Sequence, residues 1–299
     1  MLEANWSDAK DRGLYFEHIS DSLSDEGFER ILMKAITANK PVIIHRFGGF
    51  GKSHATQTVP GFLQHRIDIS KRRKTLVHCI VQGEGERDIP VDELPDYFLP
   101  PTRLLNRIVN VLGFSYVHDI SIIQNMKSLK VFEKYDLLRI VATESDNFDE
   151  ERMNPSVASD CGFTVLSQEG SFTNIHPDTM ATFASMERGG SKQWVFIPPT
   201  EKNKKIRITW TESDGLGVFE DVFGIDMHDD DFLYVPPEWM HLVYTVRKAL
   251  MHGGHLIFAE TASPNLEATL LQLQHDGLTN DPPLRAYGFL RELVPVMIS

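Results

Sequence analysis

From about Asp136 onward the chain is a succession of short runs rich in Val, Ile, Phe, Tyr and Thr, separated by turn residues. "YDLLRIVAT", "GFTVLSQ", "KQWVFIPP", "KIRITWT", "DFLYVPP", "HLVYTV" and "HGGHLIFAE" follow one another in this way. Each is too short to be a typical helix, and together they predict many short strands closed into a barrel or stacked as a sandwich. The first third is mixed. "SDEGFERILMKAITA" places Phe28, Ile31, Leu32 and Ile36 at helical spacing behind Ser24 as an N-cap, and "KPVIIHRF" reads as a buried strand. "VDELPDYFL" and "TRLLNRIVNVLG" read as helical or mixed, and helical spacing returns in "NLEATLLQLQHDG" and "LRAYGFLRELV". No repeat or low-complexity linker divides the chain, which predicts one domain with terminal additions.

Composition narrows the function classes. A net charge of −12 argues against a broad phosphate-binding face and favours a basic partner over nucleic acid. No apolar run reaches the roughly 18 residues of a spanning helix, and the first residues lack the order of a secretory signal. The expectation is an intracellular protein without membrane contact. Two cysteines, Cys79 and Cys161, give neither a disulfide framework nor a cysteine-based zinc module. The basic run Lys71-Arg72-Arg73-Lys74 reads as a nuclear import signal or as a solvated loop. The acidic stretch from Glu220 through Asp229, Asp230 and Asp231 reads as a solvated loop that would attract a basic peptide if it borders the site.

Among twelve histidines, His176 stands out because Asp178 follows it at i+2 in "TNIHPDTMAT". At the end of a strand that spacing lets both side chains approach one point. His241, between the apolar strand ending at "VPPEWM" and the next strand, is the third candidate. His252 and His255 flank a Gly-Gly pair and could serve a site or a strand equally well, and His45, His78 and His118 read as core histidines. Two imidazoles and one carboxylate, with the remaining positions open, suit a non-haem Fe(II) that binds a co-substrate and O2. The alternative is a cupin-like barrel with satisfied polar turns and no metal.

These segments resemble the JmjC-domain oxygenases that depend on Fe(II) and 2-oxoglutarate. The pattern is Thr-x-x-His-x-Asp, a lysine further on, and a distal histidine after Pro-x-x-Trp-x-His. Here it reads Thr173 to Asp178, Lys192, and Pro236 to His241, in that order. "QWVFIPPT" after Lys192 and "HLVYTVRKALMHGGHLIF" after the distal turn look like the F-box and PHD-finger branch of JmjC lysine demethylases. "LPDYFLPPTRLLNRIVNVLGFS" is similar to a segment of that branch whose asparagine contacts the co-substrate, here Asn110.

The resemblance implies a double-stranded β-helix, the jelly-roll or cupin-like barrel, mainly β with helical additions (α+β). It divides the chain into an N-terminal helical region over 1–39, a catalytic domain over 40–262 with its barrel core at about 136–260, and a helical tail over 263–299. It implies His176, Asp178 and His241 as Fe(II) ligands. Thr173, Lys192 and Asn110 would be contacts to 2-oxoglutarate, with His255 lining the site. O2 would be the second co-substrate, and a basic histone tail the protein partner, demethylated at lysine in the nucleus. Protein side-chain hydroxylation, a catalytically inactive scaffold and a small-molecule cupin enzyme are the alternatives. Three positions depart from the branch: Ser185 replaces a tyrosine seven residues before the lysine, His255 replaces an asparagine, and "TMATFASM" replaces an aromatic and glycine cluster.

Overall fold

The computed structural model describes residues 8–19, 23–47, 58–70, 75–99, 107–115, 130–137, 162–187, 189–275 and 278. In the N-terminal half, α1 (Asp8–Asp11), β1 (Phe16–Ile19), α2 (Asp25–Ala38), β2 (Val42–His45) and α3 (Val59–Ser70) precede β3 (Leu76–Val81), β4 (Gly85–Pro90), α4 (Leu94–Phe98), β5 (Val109–Ser115) and α5 (Lys130–Tyr135). Then come β6 (Gly162–Ser167), β7 (Phe172–Pro177), β8 (Ala181–Met186), β9 (Ser191–Ile197) and α6 (Glu201–Thr209). The chain goes on through β10 (Phe223–Met227), β11 (Phe232–Val235), β12 (Met240–Arg247), β13 (Ala249–Leu256) and α7 (Ala262–Gln274).

The strands form two sheets, the layered closure that the run of short apolar segments predicts. Among the described residues, nine lie in the order β1-β2-β11-β8-β13-β6-β5-β3-β4 and four in the order β10-β9-β12-β7. Apart from the parallel β1–β2 pair, the pairings are antiparallel. Side-chain alternation then sorts each strand into two faces. Val165, Met186, Leu233 and Met251 of the large sheet meet Trp194, Phe196 and Val243 of the small one in the core between the sheets. The opposite face of the large sheet carries Phe183, Phe232 and Tyr234 against Phe28, Leu32 and Phe132 of α2 and α5. The architecture is that of a double-stranded β-helix with helices on its outside.

The helix α2 follows its expected design. Ser24 Oγ accepts a 3.1 Å hydrogen bond from the Gly27 amide, and Asn39 closes the far end in the left-handed conformation at φ 49°. Phe28 and Leu32 are buried to 1% and 0% exposure, which makes this face worth about 1.5–3 kcal/mol per large side chain.

Other expectations need correction. "KIRITWT" is not a strand; its first residues end helix α6. Thr200 caps that helix by accepting from the Asn203 amide at 3.2 Å, and the fully buried Asn203 side chain bonds the carbonyls of Pro198 and Glu220 and the Glu220 amide. The alternating isoleucines 206 and 208 look strand-like, but the cap and the buried amide set the local conformation. In "TRLLNRIVNVLG", residues 109–113 are strand, and 102–106 lie outside the described residues. So do His118, Cys161, the run 71–74, the segment 279–299 and residues 138–143 of "YDLLRIVAT".

Asp231 and His78 are also corrected. Asp231 is 2% exposed, so it is no solvated loop residue. It accepts from the backbone amides of Arg46 and His228 and pairs with His45 Nδ1 at 3.0 Å, while His45 Nε2 lies 3.2 Å from Glu17. His78 is half exposed beside Asp88 and Glu86 rather than in the core. The hydrogen bond to Asp231 holds the His45 pKa above the ordinary histidine value. Stability from a raised histidine is full below its unfolded pKa and is lost as pH rises through the folded one. The gap in melting temperature between wild type and His45→Gln is therefore expected to shrink as pH rises from below the ordinary histidine value of roughly 6.5 to well above it. An equal gap at both ends, in thermal melts, would sink the assignment.

Candidate metal centre

Two strand ends in the small sheet bring the ligand candidates together. His176 is the next-to-last residue of β7 and His241 the second of β12, and the two are directly opposite in the ladder. Their ring centroids stand 4.4 Å apart. Asp178, one residue past β7, places Oδ1 3.8 Å from His176 Nε2 and Oδ2 3.9 Å from His241 Nε2. All three side chains are buried, and one ligand atom from each lies within 4.8 Å of the other two. No other trio of His, Cys, Asp or Glu does this among the described residues.

The donor chemistry fits a divalent metal. His176 Nδ1 is 2.7 Å from the Asn174 carbonyl, and His241 Nδ1 is 3.0 Å from the Trp239 carbonyl. A carbonyl only accepts, so each Nδ1 carries the hydrogen and each Nε2 presents its lone pair on the side of Asp178. Burial pushes the Asp178 carboxyl up, but His241, His176, His255 and the Thr182 hydroxyl outweigh it and hold the pKa below the ordinary carboxylate value.

Thr173 reaches the interior because β7 is bulged. Residues three apart on a regular strand face opposite sides, yet His241 pairs with His176 and Val243 with Thr173, so β7 has one extra residue in this interval. The bulge turns Thr173 to the same side as His176. There its hydroxyl accepts a 3.2 Å hydrogen bond from Asn110 Nδ2. Asn110 Oδ1 accepts from Ser167 Oγ at 2.7 Å, and Ser167 Oγ accepts from Lys192 Nζ at 2.7 Å. Four strands from both sheets thus contribute one polar chain, Lys192–Ser167–Asn110–Thr173, buried except at its partly exposed Thr173 end.

Lys192 is 2% exposed, and burial alone lowers its pKa to about 7. Among the described residues no carboxylate pairs with it, and its one hydrogen bond goes to a neutral hydroxyl. An ammonium in such a place is complementary to an anion that completes the site. A dicarboxylic co-substrate that also reaches the metal fits this arrangement.

The structure thus joins Thr173, Asn110 and Lys192 in one network and His176, Asp178 and His241 in another. His255 sits with Asp178, through Thr182, and not with the Lys192 chain. Ser185 shares the outer face of β8 with Phe183, whereas Met186 faces the core between the sheets, so the serine takes nothing from the pocket. Ser167 and Thr182 escape a reading of the sequence. Cross-strand register reveals Ser167, opposite Asn110, while Thr182 lies four residues beyond Asp178 and opposite His255.

Fold and site define a class: a double-stranded β-helix carrying two histidines, one aspartate and a buried lysine between its sheets. Comparison with curated proteins gives the relatives. The chain is 27% identical over 204 residues to the JmjC domain-containing histone demethylation protein 1 of Candida glabrata, covering 65% of this chain and 49% of that protein. It is 26% identical over 215 residues to lysine-specific demethylase 2A of Xenopus tropicalis, with 66% and 18% covered. To lysine-specific demethylase 2B of Mus musculus it is 24% identical over 254 residues, with 78% and 18% covered. The chain therefore matches about half the length of the first relative and under a fifth of the other two. No family model matches it.

Proposed function

We propose that the protein is an Fe(II)- and 2-oxoglutarate-dependent oxygenase acting on protein, specifically a lysine demethylase of a basic histone tail. The observation that carries this reading is Lys192, a buried ammonium without a carboxylate partner among the described residues, at the end of the chain that includes Thr173. His176, Asp178 and His241 would hold the metal. Lys192, with Thr173 and Asn110 beside it, would hold the far carboxylate of 2-oxoglutarate. When bound, iron and 2-oxoglutarate supply an oxidation in which O2 gives one oxygen to a substrate C–H and one to succinate, with loss of CO2. On an N-methyl group the hydroxymethyl product breaks down to formaldehyde and the demethylated amine.

The chain's own residues set the conditions for that chemistry. The two Nδ1–carbonyl bonds keep both imidazoles in the ligating tautomer. The rings of Trp194 and Phe196, 5.2 and 6.0 Å from His241, wall the site with apolar surface that excludes water. The net charge of −12 favours a basic substrate, and the names of the relatives point to histones. Residues 40–262 are the unit to which this activity is assigned. A nuclear site of action follows from that substrate, with Lys71-Arg72-Arg73-Lys74 as its import signal. No described helix is long and apolar enough to cross a membrane.

Side-chain hydroxylation is the second reading, favoured by His255, which stands inside the barrel where the demethylase branch has an asparagine. Incubating the Fe(II)-loaded protein, 2-oxoglutarate and O2 with methylated and unmethylated histone peptides separates the two. A mass loss of about 14 Da per methyl supports demethylation, and a gain of about 16 Da supports hydroxylation. Unchanged peptides, together with no 2-oxoglutarate turnover, would overturn both and leave a scaffold.

A further inference from the structure

Asp178 is held by more than the two histidines beside it. Its Oδ2 accepts a 2.7 Å hydrogen bond from Thr182 Oγ1, and the same hydroxyl lies 3.1 Å from His255 Nδ1. A hydroxyl has one hydrogen, and here the carboxylate takes it. Only lone pairs remain for the imidazole, so His255 carries its hydrogen on Nδ1 and donates it to Thr182.

The surroundings keep this relay in place. Thr182 and His255 are directly opposite in the β8–β13 ladder. The Phe163 ring packs against His255 with centroids 5.3 Å apart and planes at 53°. Phe163 in turn lies over Gly253, where an added Cβ would collide with that ring and with the Phe183 carbonyl. The glycine gives the phenyl ring its seat, the ring packs against the imidazole, and the imidazole holds the hydroxyl.

We propose that Thr182, braced by His255, fixes Asp178 as a one-oxygen metal ligand, holding Oδ2 and leaving Oδ1 for the ion. The proposal rests on the reading of His176, Asp178 and His241 as a metal centre. A carboxylate free to bind through both oxygens takes two positions on a six-coordinate ion. Restricted to one oxygen, it leaves three positions open beside two imidazoles, the number that a bidentate co-substrate and O2 require together. Thr182 and His255 touch neither reacting atom in this scheme; they are positioning residues that act through Asp178. Neither is part of the His-x-Asp motif itself: Thr182 lies four residues beyond Asp178, and His255 reaches it from the opposite strand.

Co(II) titration of the full chain under anaerobic conditions tests this, with affinity and the visible ligand-field spectrum as readouts. Thr182→Val keeps the branched shape and removes the hydroxyl. It is expected to weaken Co(II) binding by about 10- to 100-fold and to alter the spectrum as the second oxygen turns to the metal. Thr182→Ser restores the hydroxyl and is expected to keep wild-type affinity within about threefold and the wild-type spectrum. His255→Leu leaves Thr182 unbraced and is expected to weaken binding by a smaller factor. Wild-type affinity and spectrum in Thr182→Val would overturn the proposal. If Thr182→Val fails to fold, as read by circular dichroism, His255→Leu decides: weakened binding with an altered spectrum supports the relay, and unchanged binding overturns it. A wild-type protein that binds no Co(II) instead refutes the metal centre on which the proposal rests, so the two failures are distinguishable.

Discussion

Lys192→Met is expected to make the protein more resistant to heat while destroying its affinity for 2-oxoglutarate. The ammonium is 2% exposed, burial lowers its pKa to about 7, and its hydrogen bond goes to the neutral Ser167 hydroxyl. A methionine of similar shape removes that desolvation cost, so melting temperature should rise by at least about 2 °C. The co-substrate carboxylate would lose its charged partner, an effect of about 2–5 kcal/mol or more than about 30-fold in affinity.

The pH dependence follows with a definite sign. Between about pH 7 and the ordinary lysine pKa the unfolded chain binds more protons than the folded one, so wild-type stability gains from this group as pH rises. Binding a carboxylate needs the charged form. Affinity for 2-oxoglutarate should therefore fall about tenfold per unit above pH 7. Calorimetric titrations at three pH values and thermal melts of both proteins check these statements. A methionine variant that melts lower and binds 2-oxoglutarate as well as wild type would make Lys192 a structural residue.

Asp178→Ala should cost the metal more than any change outside the three ligands. Altering a residue that only supports a ligand typically costs 10- to 100-fold in metal affinity, so removal of the carboxylate itself should exceed about 100-fold. Stability should also fall, by about 1–3 kcal/mol, because the buried Thr182 hydroxyl loses its acceptor. The measurement is Co(II) affinity beside the thermal melt. Retention of the metal within about threefold, with the fold intact, would remove Asp178 from the centre.

Much of this was legible in the sequence, for identifiable reasons. The helix at Asp25–Ala38 announces itself because its cap and its apolar spacing agree, and the strands at Phe232–Val235 and Met240–Arg247 because each is short, apolar and bounded by turn residues. The proximity of His176 to Asp178 follows from their spacing at a strand end. What escaped depends on partners remote in sequence. Asp231 looks solvated until His45, 186 residues away, is found bonded to it. Ser167 gains its role from the strand opposite, His255 reaches Asp178 only through Thr182 of the paired strand, and Thr173 faces inward only because β7 is bulged. Helix α6 was hidden by two isoleucines at strand-like spacing, while the features that fix it are a threonine cap and one buried asparagine.

The most direct test of the central claim is an anaerobic titration of the wild-type protein with Fe(II) and 2-oxoglutarate, followed by visible absorption. A weak metal-to-ligand charge-transfer band is expected only when both are present, saturating at one equivalent of each, and absent in His241→Ala and Lys192→Met. A wild-type protein that gives no such band and binds no 2-oxoglutarate in the presence of Fe(II) would contradict it.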